Sequence, residues 1–469
     1  MTSEIGSKSP QGNIKRILVA LIGAQTVFLA LQGSHISGDD PVRQGAVLDL
    51  AAGKLPNSHF SVIFPMLATP VFILARAVGF EKEFFERFGL LCYATWAFLV
   101  GRQLSRLRNA KLAITFTILS FCSLLTPYVM GFNAEAFSAM LLSGGLLAAI
   151  SARHKSARYL GWCLAILAVA NIPAQLPGFV VMCAAIAIRK RRFRSMWPAI
   201  VLLAAVIVEA SLANGHLSFS KYTQSSSATS PLLPWGKVVD FGHPLIFGVV
   251  AILFSLGRGL VFYSPTLAFA FVRATDSAGE WALSLAIFTV ALIPIYAKWW
   301  AWYGGITFGP RFFLVGCIPG AFAVSEVLRS PQGQSRARLM AAALTVGLSA
   351  WVAITGALWF LTSRAISFCM VENYRYEPLC WYSAEYSSLM APLWDHGVVR
   401  PGQVVFACFV VIQILAVMPL IVREVAGPSA DALLAITQKL RRPATGKAVS
   451  ARTDSAVGTV GESNDTGSN

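Results

Sequence analysis

Apolar residues in this chain come in runs of about 17 to 22, separated by short basic clusters rather than alternating with polar positions. Runs of that length cross a bilayer core as helices, whereas a barrel needs period-two alternation. The pattern predicts an all-α polytopic membrane protein of about 12 transmembrane helices. Lys15 and Arg16 precede the first run, 17–33, which places residues 1–16 in the cytoplasm and residues 34–83 outside. If the next run, 61–79, crossed as well, Arg102, Arg106, Arg108 and Lys111 would fall outside, against the charge rule. Lying at the outer interface, broken by Pro65, Pro70 and Arg76, it leaves the span 84–101 to deliver those residues to the cytoplasm. The first outer loop is therefore expected to carry an amphipathic or re-entrant segment.

With that threading, Arg153, Lys155 and Arg158, then Arg189 to Arg194, then Arg329, Arg336 and Arg338, and finally Arg423, Arg441 and Arg442 all fall inside. The outer face receives 34–83, 131–135, 214–243, 298–309 and 362–400. The region 244–275 is too long for one straight helix and is interrupted at Gly257-Arg258-Gly259 and Ser264-Pro265, so a bent span or re-entrant segment is expected there. Residues 17–425 form the membrane domain. Residues 426–469 form a cytoplasmic tail, largely disordered by its Ser, Thr, Gly and Asp content.

Composition agrees: 56% of residues are hydrophobic and 13% charged. The net charge of +16 sits in inter-span clusters, which is topology rather than a nucleic-acid surface. Residues 17–33 lack a small-residue cleavage site and read as a signal anchor. Six of the eight cysteines lie within expected spans and read as core fillers. Cys369 and Cys380 share the outer loop 362–400, where an oxidising compartment permits a disulfide. No Walker loop, dinucleotide fingerprint, HExxH helix or Cys/His ligand set is present, so reaction energy must come from an activated substrate or a gradient.

The most informative polar feature is Asp39-Asp40, in Gly38-Asp39-Asp40-Pro41 just beyond the first span. Two carboxylates at a membrane surface are costly unless solvated, paired or used. The plain alternative is helix capping, with Asp40 before Pro41 starting the helix that follows. Glu135, in Gly131-Phe132-Asn133-Ala134-Glu135, is a second candidate, with an interfacial cap as its plain reading. Trp299, Trp300, Trp302 and Tyr303 are read by default as an aromatic belt.

The first span followed by Gly38-Asp39-Asp40-Pro41, the helical stretch Gln44 to Lys54 and the Pro-punctuated segment His59 to Pro70 resembles the first outer loop of GT-C glycosyltransferases, the polyprenyl-phosphate-sugar-dependent superfamily. Lys298 to Gly305, Phe308-Gly309-Pro310-Arg311-Phe312 and Gly257 to Pro265 resemble patterns in bacterial membrane proteins of that superfamily, and the layout is similar to that of dolichyl-phosphate-mannose mannosyltransferases. The resemblance spans about residues 15 to 425 in layout. It implies a GT-C-like fold and transfer of a hexosyl or pentosyl group, with inversion, from a polyprenyl-phosphate carrier to a cell-envelope glycan, lipid or protein on the extracytoplasmic side of the cytoplasmic membrane.

That reaction needs a base for the acceptor proton and cations for the departing phosphate. The resemblance implies Asp39 as base, with Asp40 orienting the acceptor or helping to hold a divalent ion, Mg or Mn; the reverse assignment of the two aspartates stays open. The resemblance also implies that Glu135 is a further catalytic acid facing the same cavity. Arg311, Arg258 and Lys298 are candidates for the phosphate, and His59, Trp302 and Tyr303 for acceptor or sugar contacts. Two adjacent aspartates alone make a poor divalent site. The family's large soluble C-terminal domain has no counterpart here, leaving the loop 362–400 as the candidate acceptor surface. Two other classes fit the same layout: a secondary transporter or lipid-linked-sugar flippase, which predicts internal repeats and mid-membrane charges, and a non-catalytic envelope scaffold, which predicts that Asp39 and Asp40 tolerate Asn.

Overall fold

The computed structural model describes residues 10–33, 39–56, 60–191, 193–214, 241–271, 275–305, 307–358, 367–371, 375–394 and 400–419. They form helices and connecting turns, with no strand among them. The chain divides into Met1–Val425 and Ala426–Asn469, and every described residue belongs to the first unit. The expected tail lies outside the described residues.

The helices are α1 (Pro10–Ala30), α2 (Asp40–Ala51), α3 (Ile63–Ala77), α4 (Glu81–Leu107), α5 (Ala110–Phe121), α6 (Leu125–Val129), α7 (Ala134–Ser151), α8 (Lys155–Ala170), α9 (Leu176–Lys190), α10 (Trp197–Asn214), α11 (Leu245–Phe254), α12 (Leu260–Tyr263), α13 (Ser277–Lys298), α14 (Cys317–Arg329), α15 (Arg336–Leu358), α16 (Glu377–Tyr382) and α17 (Pro401–Val417). Among the described residues five helical segments are long and apolar enough to cross a membrane, α1, α7, α13, α14 with its preceding turn, and α15. The bent pair α8–α9, angled at 113°, makes a sixth if it is one span. Five further apolar helices are shorter, α3 among them. The chain is a helical polytopic membrane protein, and among the described residues length and composition alone account for five of the expected dozen crossings, or six with the bent pair.

Helices that meet in lipid gain little from apolar area and depend on close approach and polar contacts. Both occur here. A Cβ on Gly145 would stand 2.7 Å from the Gly161 carbonyl oxygen, and one on Gly161 2.5 Å from the Ala149 nitrogen, so glycine lets α7 and α8 touch backbone to backbone. Gln25 donates to Gln413 at 2.7 Å and accepts from the Tyr93 hydroxyl at 2.9 Å, knotting α1, α4 and α17. Trp96 and Trp281 both donate to Ser143, at its hydroxyl and its carbonyl, on the central helix α7.

The segment between α1 and α4, expected as the first outer loop, is held against this bundle. α2 and α3 pack with the start of α4 through Val47, Phe64, Phe72, Phe84 and Phe88, closed by Phe132 ahead of α7. The Phe64 amide donates to Asn171 Oδ1 at 3.1 Å, pinning the start of α3 to the end of α8. The region 244–275 is broken where Gly257-Arg258-Gly259 and Ser264-Pro265 stand: α11 ends at Phe254, α12 is a single turn, and a 3-10 turn follows over Pro265–Phe269.

Of the six cysteines outside the disulfide, Cys122, Cys183 and Cys317 are buried and Cys92 is partly so, but Cys163 and Cys408 are exposed on helix faces. The core-filler reading fails for those two, because position within an apolar run does not reveal which face of the helix turns inward.

At one end of the bundle Arg108 pairs with Asp276 at 2.7 Å and Glu326 at 3.2 Å, and Lys190 pairs with Glu280 at 3.0 Å. These residues gather the end of α4, the start of α13 and the end of α14. A 22-residue helix such as α13 spans about 33 Å, a bilayer core's thickness. Its other end, Lys298, lies with the start of α14 and the loops that the charge pattern assigns to the outer face.

Candidate active site

Three of the residues singled out in the sequence meet at that second end. Arg311 Nη2 lies 3.0 Å from Asp39 Oδ2, and Nη1 lies 3.5 Å from Glu135 Oε1. Each arrives by a local device. α7 is capped by Asn133, whose Oδ1 accepts from the Ala136 amide at 2.8 Å. Glu135 is thereby freed from the capping role that was its plain reading, and it is 6% exposed. Asp39 occupies the N-cap position of α2, yet its side chain makes no capping hydrogen bond; its carboxylate is spent on Arg311. Asp40 opens the helix ahead of Pro41 and is 3% exposed.

Arg311 follows a tight turn that only glycine permits. Gly309 sits at φ +66°, and a Cβ there would stand 2.4 Å from the Tyr263 ring. Beyond the turn, Arg311 begins a short 3-10 stretch leading into α14, and its guanidinium lies 5.2 Å from the Phe312 ring centre. Phe312 stacks in turn on Tyr296 of α13, centroids 4.5 Å apart.

A fourth charged group was not foreseen. Arg43, one turn into α2, is 5% exposed, stands 4.5 Å over the Phe60 ring, and has its Nη1 without a hydrogen-bond partner among the described residues. Burial pushes its guanidinium below the ordinary arginine value, while the carboxylates of Glu135, Asp39 and Asp40 pull the other way. The cluster thus sets three carboxylates against two guanidiniums. Its sequence signal was a lone Arg four positions after Asp39, one helical turn along the same face.

Arg258 is close by but differently engaged. Its Nη1 donates to the carbonyls of Thr307 and, at 3.4 Å, Gly309, and its Nη2 to the carbonyl of Gly305 at 3.0 Å. The Arg258 guanidinium holds the turn that presents Arg311. Lys298 ends α13 and makes no ion pair with a described carboxylate; its carbonyl accepts from the His243 amide at 3.0 Å. His59 lies outside the described residues.

The aromatic-belt reading is corrected for Trp302 and Tyr303, which are 2% and 4% exposed. Tyr303 stacks on Trp381 with centroids 3.9 Å apart, and Trp302 stands edge-on to Trp381 at 5.7 Å. The segment around α16 folds over them, and covering by a distant loop leaves no trace in the local Trp/Tyr pattern.

That covering segment is closed by a Cys369–Cys380 disulfide, Cα atoms 6.2 Å apart. It carries a buried carboxyl that sequence reading missed, Glu377, which accepts a hydrogen bond from the Tyr303 hydroxyl. Burial pushes Glu377 up to about 7, against the opposing pull of the Arg258 charge and the Tyr303 hydrogen bond. Its sequence context, Glu377-Pro378, reads as an ordinary helix start.

No group of three or more His, Cys, Asp or Glu side chains suited to a metal occurs among the described residues, and Asp39 Oδ2 is taken by Arg311. As it stands, this donor set does not fit a divalent ion, which would have to compete with Arg311 for Asp39. The arrangement itself pairs two carboxylates with one guanidinium and can offer guanidinium donors to an incoming anion.

No protein-family model matches the chain, and no curated protein matches it. Among solved structures it is similar to the crystal structure of ArnT from Cupriavidus metallidurans bound to undecaprenyl phosphate (TM-score 0.47, 14% identity, 93% of this chain and 82% of that one covered), and to the structure of ArnT from the same organism in the apo state (TM-score 0.45, 14% identity, 91% and 80% covered).

Proposed function

We propose that this protein is a membrane glycosyltransferase that moves a hexosyl or pentosyl group from a polyprenyl-phosphate carrier to a cell-envelope acceptor on the extracytoplasmic side, with inversion. The observation that carries the reading is the part-buried pairing of Arg311 with Asp39 and Glu135, at one end of a helical membrane bundle. The GT-C resemblance of the first outer loop supports the donor class, and the clustering of polar groups at helix ends supports surface chemistry over transport along a mid-membrane path.

In this reaction the acceptor oxygen bonds to the anomeric carbon as the bond from that carbon to the phosphate oxygen breaks. The acceptor proton passes to a carboxylate, and the phosphate leaves with the electron pair. Asp39 is the base and Asp40 orients the acceptor hydroxyl. An in-line displacement puts attacking and departing oxygens on opposite faces of the sugar. A guanidinium in contact with the base cannot also meet the leaving phosphate. Donor phosphate therefore competes with Asp39 for Arg311, and the exchange frees Asp39 to accept the proton while Arg311 takes up the developing charge.

Purified protein, offered a panel of polyprenyl-phosphate sugars and candidate acceptors, is expected to release free polyprenyl phosphate, and Asp39→Asn and Asp40→Asn to release far less. Equal turnover by all three proteins would overturn the assignment and favour the scaffold reading. Carrier or sugar moved across vesicles without cleavage would favour the flippase.

A further inference from the structure

One buried group near the site has no part in the chemistry above. Glu377 accepts from Tyr303, and its charge interaction is with Arg258. Arg258 in turn spreads its donors over the carbonyls of Gly305, Thr307 and Gly309, the residues immediately before Pro310-Arg311. The path from Glu377 to the catalytic guanidinium is therefore short: one carboxyl, one arginine, one turn.

The segment carrying Glu377 is anchored from several sides. The Gly257 amide donates to the Trp381 carbonyl at 2.9 Å, and Ser387 Oγ donates to the Leu256 carbonyl at 2.8 Å. Tyr263 and Ser388 share a hydroxyl hydrogen bond at 3.2 Å. A Cβ on Gly257 would meet the Cys380 carbonyl oxygen at 1.8 Å, so the segment rests directly on the break between α11 and α12. The Cys369–Cys380 disulfide closes the stretch that contains Glu377.

We propose that the disulfide-closed segment around α16 is a clamp in which Glu377 is a positioning residue, fixing Arg311 through Arg258 and the turn 304–309. The consequence for turnover rests on the glycosyltransferase reading; the clamp itself does not. The charged and titratable groups that surround the pair are Tyr303 beside Glu377, and Tyr263 and Tyr128 around Arg258. Burial keeps the Glu377 carboxyl protonated up to near neutral pH, so the clamp loosens as that carboxyl ionises.

The test is hydrogen–deuterium exchange on the full chain in detergent, followed on peptides covering 304–311, with peptides from α4 as a control for intact fold. Glu377→Ala should raise exchange at 304–311 by about tenfold, the loss expected for one buried hydrogen bond, here that from the Tyr303 hydroxyl. Reduction of the wild-type disulfide, or Cys369→Ser with Cys380→Ser, should act in the same direction. After correction for intrinsic rates, wild-type protection of 304–311 should fall between about pH 6 and about pH 8, and Glu377→Gln should flatten that fall. Exchange at 304–311 that stays unchanged in both Glu377→Ala and the reduced wild type would overturn the clamp. So would a pH dependence that survives Glu377→Gln. If the clamp signals appear while wild-type protein turns over no donor, the clamp stands and the glycosyltransferase reading falls.

Discussion

Arg311 holds Asp39 and Glu135 with its two terminal nitrogens, at 3.0 Å and 3.5 Å, so one guanidinium joins the first turn of α2 to the first turn of α7. Removing it leaves the buried Glu135 and the half-buried Asp39 with only Arg43 as a neighbouring cation, a loss of about 1–3 kcal/mol. Arg311→Ala should therefore lower the thermal midpoint in detergent markedly, and adding Glu135→Gln should recover part of it. A single variant that melts like wild type would show that the pair is not coupled to the fold.

Asp39→Asn keeps the shape and removes the base. Release of polyprenyl phosphate should fall by about 10²-fold or more, with the thermal midpoint close to wild type. An equal fall in Asp40→Asn would leave the two roles unresolved, whereas a smaller one would fit an orienting role.

The raised Glu377 carboxyl makes a signed prediction about pH. Its folded-state value of about 7 lies above its ordinary 4.5, so the folded chain holds a proton that the unfolded chain releases first. Stability from this group is fully present below about pH 4.5 and is lost as pH rises through about 7, by about 3 kcal/mol in all. Denaturation midpoints measured across that window should decline in wild type and decline less in Glu377→Gln. Parallel curves would remove Glu377 from the account.

Gly309→Ala meets two penalties at once, a left-handed backbone and a Cβ driven into the Tyr263 ring. A loss of about 1–3 kcal/mol is expected from the conformation alone, together with a turnover defect, because the turn delivers Arg311. Gly347→Ala is the control: it has open space around it within α15 and should be neutral or slightly stabilising in the same melting assay.

Asn133→Ala should cost about 1 kcal/mol of stability as an ordinary cap loss while sparing catalysis relative to Glu135→Gln. The reverse ranking in the release assay would mean that the roles of the two neighbours have been exchanged.

Much of this site was readable because charged residues at the ends of apolar runs are few. Asp39, Glu135 and Arg311 stood out by position alone, and the structure brings them together. The breaks at Gly257 and Ser264 were equally visible, since glycine and proline interrupt helices wherever they sit. What the chain did not disclose is which partner each group chooses. Arg258 looked as free as Arg311, but its donors go to three carbonyls of a loop some fifty residues on. Arg43 and Glu377 were passed over because each sits in a sequence that makes an ordinary helix start. Burial by a loop from another part of the chain is what gives them weight, and it also turned Trp302 and Tyr303 from a supposed belt into packed core.

The Arg311 junction also bears on biosynthesis. Asp39 and Glu135 emerge from the ribosome in the first third of the chain, whereas their cation arrives only after more than half of it has been made, and the segment around α16 comes later still. Until then the two acids have Arg43 alone as a neighbouring cation, and the segment 39–56 lacks the guanidinium that joins it to α7. A nascent chain arrested before Arg311 should thus display an open, protease-sensitive loop over residues 39–56, which would become resistant once the later half has been inserted.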